Sequence, residues 1–207
     1  MTASPDFGTP ASPAPTQLPA APYPAGAASP GSAADAGSPP SACSAAPVSD
    51  AFDTTAFRSV FRRHAAGVAV ITAPGARPVG FTATSLTSVS AEPPMVSFGI
   101  STTGSTWPTV ADVAYVGIHI LGEHQEDLAA TFARSGADRF APPTAWGPGP
   151  YGVPLLEDVS AWLVARVVAR IPAGDHRVVI AQAVAGAPDG PARPLLYHQG
   201  RFNALRH

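Results

Sequence analysis

The stretch Gly80–Ser97, GFTATSLTSVSAEPPMVS, holds the residues best suited to bind something. Between Thr82 and Ser90, six of nine residues carry a hydroxyl: Thr82, Thr84, Ser85, Thr87, Ser88 and Ser90. An ordinary half-buried strand alternates apolar and polar side chains over such a length. Here the polar positions are short and neutral, and none of the nine is charged. A hydroxyl both donates and accepts hydrogen bonds. It also lets a bulky polar ligand come close to the backbone. The chemistry that suits this run is a phosphate joined to a flat heteroaromatic ring.

Three further groups bear on that ligand. Ser101, Thr102, Thr103, Ser105 and Thr106 form a second hydroxyl cluster, just before a helical pattern. Such residues cap helices without any ligand, and the same amides bind phosphate equally well; the sequence leaves both open. Arg134 closes a helical pattern, where a cation either offsets the helix dipole or pairs with a phosphate. Gly174-Asp175-His176 lies between two strand patterns, as a turn with a satisfied histidine or as a histidine aimed from a loop into a site.

Other motifs carry less. Gly147-Pro-Gly149-Pro-Tyr-Gly152 matches GxGxxG literally, but no helix pattern follows and two prolines remove amide donors, so it reads as loop. His119 and His124, five apart across a strand end, match no helical metal pair, and His119 is expected in the core or at an interface. Core packing is the expectation for Trp107, Trp146 and Trp162.

The elements that position these residues are mostly strands. Asp53-Thr54-Thr55 caps an amphipathic helix that ends near Gly67. Strands are expected at 67–72 and 79–90, then at 95–100 beyond the break at Glu92-Pro93-Pro94. A short helix over 104–113, a strand over 115–121 and a helix over 123–134 follow. Residues 135–156 read as a long Gly- and Pro-rich loop. Three strands over 161–171, 176–185 and 195–203 close the chain, with Asp189-Gly190 as a turn. Six or seven antiparallel strands with few helices fit a barrel or sandwich.

Composition divides the chain near residue 50. Residues 1–50 hold 11 of the 25 prolines and neither Arg nor Lys, a composition expected to stay disordered with polyproline II character. Residues 51–207 are apolar-rich and long enough for one domain with a substantial core. All 12 basic residues of the chain are Arg and lie in this part, against 11 of the 14 acids, for a balance of 12 − 11 = +1. No basic face emerges, so no nucleic-acid partner is expected. No run long enough to span a membrane and no secretory leader is expected. The single Cys43 falls in the tail, which leaves the domain without a thiol framework and points to a reducing cytoplasm.

Taken in order, the pieces resemble the flavin reductase family with its flavin-binding split β-barrel. They are Phe61–Thr72, Pro78–Ser90, Pro93–Val96, Ser105–Pro108, Phe132-Ala133 with Asp138–Phe140, Gly174–His176, and Leu196-Tyr197 with Gly200–Phe202. The resemblance covers about 53–205. It implies a homodimer of six-stranded antiparallel Greek-key barrels with a few peripheral helices. FMN or FAD would sit near the subunit interface, with NADH or NADPH as hydride donor. It also implies that Thr82-Ala83-Thr84-Ser85 contact the flavin, with Thr84 where the family more often has Asn. Ser88, Ser101, Ser105, Thr106, Arg134, Asp175 and Tyr197 match further cofactor positions, and His176 the histidine beside the nicotinamide. The implied activity is NAD(P)H:flavin oxidoreduction supplying reduced flavin to a partner monooxygenase. A split-barrel oxidase that retains FMN, resembling pyridoxamine-phosphate oxidases, is one rival. A non-catalytic flavin carrier is the other.

Overall fold

In the computed structural model, the residues described are 52–188, 190 and 193–205. The Pro-rich tail, and Asp189 of the expected turn, lie outside them. Twelve strands are β1 (Ala66–Gly67), β2 (Ala69–Ala73), β3 (Val79–Ala83), β4 (Thr87–Ala91), β5 (Pro94–Ser101), β6 (Tyr115–Ile120), β7 (Trp146–Pro148), β8 (Pro154–Leu156), β9 (Ala161–Ala173), β10 (His176–Ala187), β11 (Leu195–His198) and β12 (Arg201–Ala204). Helices are α1 (Thr54–Phe61), α2 (Trp107–Asp112) and α3 (Glu126–Ala133). The architecture is mainly β, and every strand pairing is antiparallel.

The main sheet has seven strands in the order β3-β2-β6-β9-β10-β5-β4, one more than the resemblance implies. The difference comes from the hydroxyl run. The sequence reads 79–90 as one strand, but the chain breaks into β3 and β4, which lie at opposite edges of the sheet. The cause is local. Ser85 Oγ accepts the Gly99 amide of β5 at 2.8 Å, which draws Thr84–Leu86 away from β2 and across to the far edge. The two edges of the sheet therefore belong to one continuous stretch of chain.

Strand β2 is buried along its whole length and shows the two-residue period of a strand covered on both faces. Ile71 and Ala73 join a core with Phe98, Ile100, Val116, Ile118 and Val179. Val68, before the strand, and Val70 join a second core with Leu121, Phe132, Leu156 and Leu195. The second core lies beneath α3 and the 135–156 segment. That segment is not the plain loop the sequence predicts: it carries the β7–β8 hairpin. The GxGxxG match falls on the end of β7, at Gly147-Pro148, and on a 3₁₀ turn at Pro150–Gly152, with no α-helix after it among the described residues.

The hairpin is pegged by buried polar groups. Thr72 Oγ1 donates to Pro154 O at 2.6 Å. His119, fully buried, receives the Leu156 amide on Nε2 at 3.1 Å, so its proton sits on Nδ1 and is donated to Val70 O at 3.1 Å. Gly117 makes room for this junction, since a Cβ there would collide with Thr72 Oγ1 and approach His119 and Val153 within 2.9 Å.

Two other expectations change. Residues 195–203 form a hairpin rather than one strand, because Gln199 (φ 52°) and Gly200 (φ 80°) adopt the left-handed turn conformation. Trp107 and Trp162 pack against the two cores, but Trp146 is 37% exposed, outside both. Helix α1 is capped by Asp53, whose Oδ2 accepts the Ala56 amide at 2.8 Å. It buries nothing: Phe57, Val60 and Phe61 are 51%, 59% and 57% exposed. Among the described residues, no helix is long and apolar enough to cross a membrane.

Candidate functional site

Three clefts open in turn along Val79–Thr87. Val79 and Gly80 line the first, about 730 Å³, together with Arg77, Ser105, Arg139 and Trp146. Phe81 and Thr82 line the second, about 200 Å³, with Ser101, Ser105, Thr106 and Arg139. Thr84–Thr87 line the third, about 680 Å³, with Phe57, Phe61, Arg62 and Tyr197. We call them the arginine, hydroxyl and aromatic clefts.

The hydroxyl cleft gathers four of the expected cofactor residues: Thr82, Ser101, Ser105 and Thr106. Thr82 Oγ1 is committed to Ala129 O at 2.6 Å, which fastens β3 to α3. Thr106 is buried and its Oγ1 donates to Gly80 O at 3.3 Å. It stands at the start of α2 without making a side-chain cap bond. Ser101 Oγ and Thr103 Oγ1 share a bond of 2.9 Å, and Ser105 is exposed between the two clefts that it lines.

The cation at this site is Arg139, not Arg134. Helix α3 ends at Ala133, and Arg134 follows in extended conformation, exposed and outside all three clefts. Arg139 returns along the next loop. Its Nε donates to Phe132 O at 3.1 Å and its Nη2 to Arg134 O at 2.7 Å. It thereby occupies one of the last carbonyls of α3, which the helix cannot satisfy itself, and the carbonyl of the residue that follows the helix. Partial burial pulls its pKa below the ordinary arginine value, yet a guanidinium stays charged near neutrality. The tether fixes its plane while Nη1 remains for an anion. The sequence did offer a signal: Arg139 stands in the Asp138-Arg-Phe140 run.

Gly174 and Asp175 form the β9–β10 turn, and His176 opens β10. Asp175 Oδ1 accepts from His176 Nδ1 at 2.7 Å, and that pairing holds the exposed Asp175 carboxyl below its usual range. Both the amide and the hydroxyl of Thr102 donate to Asp175 O at 3.0 Å. Across the ladder His176 faces Ser101. The imidazole is therefore oriented by its neighbour beside the hydroxyl cleft, with Nε2 left for a ligand.

The remaining expected residues scatter. Thr84 and Ser85 reach the aromatic cleft with Tyr197, whose ring meets Phe202 edge-on at 5.4 Å. Ala83 is buried in the core and offers only its backbone. Ser88 sits on β4 opposite Val96 and lines none of the three clefts.

An antiparallel barrel whose edge run joins a hydroxyl-and-guanidinium cleft to an aromatic one is the frame of a nucleotide-binding protein. The flavin reductase like domain matches residues 61–206, and the chain belongs to that family. It is 44% identical over 151 residues to the NADH:FMN oxidoreductase of Rhodococcus erythropolis, covering 70% of this chain and 79% of that protein. The reductase component of a 4-nitrophenol 4-monooxygenase/4-nitrocatechol 2-monooxygenase from Rhodococcus opacus is 37% identical, with 75% and 83% covered. The crystal structure of a flavin reductase domain protein from an Arthrobacter species superposes with a TM-score of 0.70. It is 41% identical, over 74% of this chain and 96% of that one.

Proposed function

We propose that this protein is an NADH:flavin oxidoreductase that releases reduced flavin to a partner monooxygenase. The observation that carries this reading is the passage of one strand run through a phosphate-type cleft and a ring-type cleft, with His176 beside the former. The donor set fits the ligand. Ser101, Ser105 and the Arg139 guanidinium suit a phosphate. Thr84, Ser85, Phe57, Phe61 and Tyr197 suit the edge and face of a flat ring.

When bound together, the nicotinamide and the flavin supply the redox chemistry, a hydride passing from one ring to the other. The chain's own task is to hold the rings face to face at roughly 3–3.5 Å and to exclude other geometries. Arg139 holds the phosphate end, the Thr84–Leu86 backbone borders the ring, and His176 Nε2 takes the nicotinamide carboxamide. Asp175 keeps that histidine turned the right way. NADH as donor and the monooxygenase partner extend to this chain what the relatives' names state.

The exposed apolar side of α1, with Phe57 and Phe61 lining the aromatic cleft, supports a homodimer that covers this face. A fold part with no cysteine supports a reducing, cytoplasmic home.

Mixing the pure protein with a flavin and NADH, and following the nicotinamide absorbance, tests the reading. Rapid loss supports it, whereas a bound yellow flavin with stable NADH indicates a carrier. His176→Ala is expected to lower turnover about tenfold, the worth of one hydrogen bond, while flavin affinity stays put. Unchanged turnover would remove the histidine from the mechanism.

A further inference from the structure

The arginine cleft is larger than the hydroxyl cleft it joins, and the reading above gives it no task. The two share Ser105 and Arg139, so a ligand phosphate at the hydroxyl cleft lies at the mouth of the other. Arg77 and Arg139 stand against one carboxylate, Asp138, which leaves the lining formally cationic. Trp146 adds an aromatic wall. Its Nε1–H donates to Phe140 O at 3.1 Å, and the Phe140 ring meets it edge-on at 5.2 Å and 78°. The indole is thus held in one orientation while remaining 37% exposed.

Inorganic phosphate has no use for an indole, and an apolar ligand has none for two guanidiniums. A nucleoside phosphate uses both. The base stacks on Trp146, the phosphate meets Arg77, and Asp138 offers the kind of acceptor that ribose hydroxyls take. The spacing agrees. From Val79 at the arginine cleft, β3 runs four strand steps, about 13 Å, to Ala83, beside Thr84 at the aromatic one. That path runs from a flat ring through a phosphate site to a second flat base.

We propose that the arginine cleft binds the adenosine-phosphate half of a flavin dinucleotide, so that Trp146 and Arg77 make the chain favour FAD over FMN. This rests on the flavin reductase reading and names its substrate more closely. An adenosine phosphate also forms part of the nicotinamide dinucleotide, and the test separates the two sources.

The test is titration of FAD and of FMN into the full chain, read by quenching of flavin fluorescence with no nicotinamide present. Wild type is expected to bind FAD more tightly than FMN. Trp146→Ala and Arg77→Ala should each weaken FAD roughly tenfold, the scale of one lost base stack or phosphate contact, and leave FMN unchanged. Trp146→Phe should recover much of the loss. Thermal melts matching wild type establish that the variants are folded.

Equal affinity for the two flavins in wild type, or equal loss of both in the variants, overturns the proposal. So does a rise in the NADH Michaelis constant with FAD binding intact, which would assign the cleft to the nicotinamide dinucleotide. Failure of wild type to bind either flavin defeats the reductase reading itself, and is distinct from binding FMN alone.

Discussion

Lowering the pH from 7 to 4 is expected to remove roughly 3 kcal/mol of folding stability through His119 alone. Burial depresses its pKa from 6.5 to about 4, with only the bond to Val70 O opposing. The folded protein thus holds His119 neutral at pH values where the unfolded chain would protonate it. Between about pH 6.5 and 4 the unfolded state binds more protons, so stability falls as the pH falls. Above 6.5 the contribution is fully present. The Leu156 amide donates to Nε2, so a proton there would oppose an existing donor.

Urea unfolding at a series of pH values measures this directly. In His119→Gln the slope between pH 6.5 and 4 should flatten by about one proton, although the variant is less stable throughout. An unchanged slope would mean that other groups set the acid response.

Arg139→Ala is expected to weaken FMN or FAD binding roughly 30- to 100-fold, the scale of a lost pair of charge-assisted hydrogen bonds. Riboflavin, which has no phosphate, should bind wild type and variant alike. Arg139→Lys keeps the charge but loses the two carbonyl tethers and the planar fork, so it should recover only part. The wild-type affinity for FMN should fall with added salt, and the variant's should fall less. Equal weakening of riboflavin and FMN would make Arg139 a brace for the end of α3 and nothing more.

Strand pattern and site were legible to different depths. The apolar run at 67–72 gave β2, and those at 161–171 and 176–185 gave β9 and β10, each within two residues of its ends. The split of 79–90 was not legible. Its residues all favour or tolerate a strand, and the break depends on Ser85 reaching Gly99, fourteen residues away. The 195–203 hairpin was missed because its turn rests on Gln199 in a left-handed conformation, which composition does not announce.

The hydroxyls were found as a group, but several of them serve the fold. Thr82, Ser85 and Thr106 bond to Ala129, Gly99 and Gly80, so what they offer a ligand is proximity of backbone more than free oxygen. The sequence points to Arg134 and not to Arg139 because it shows where a helix ends but not which later residue folds back onto that end. Trp146 was assigned to the core because large aromatics usually pack there. Its bond to Phe140 O holds it at a cleft rim instead.

The crossing at Thr84–Leu86 makes the two edge strands behave like the halves of a belt that meet at a buckle. Outside the ladders, the three residues are held across by the Ser85–Gly99 bond. A ligand lying along Val79–Thr87 would touch both halves and fasten them. Occupancy would then be written into the mechanical state of the barrel: the empty protein opens first at this junction, and the loaded one must release its ligand before the edges part.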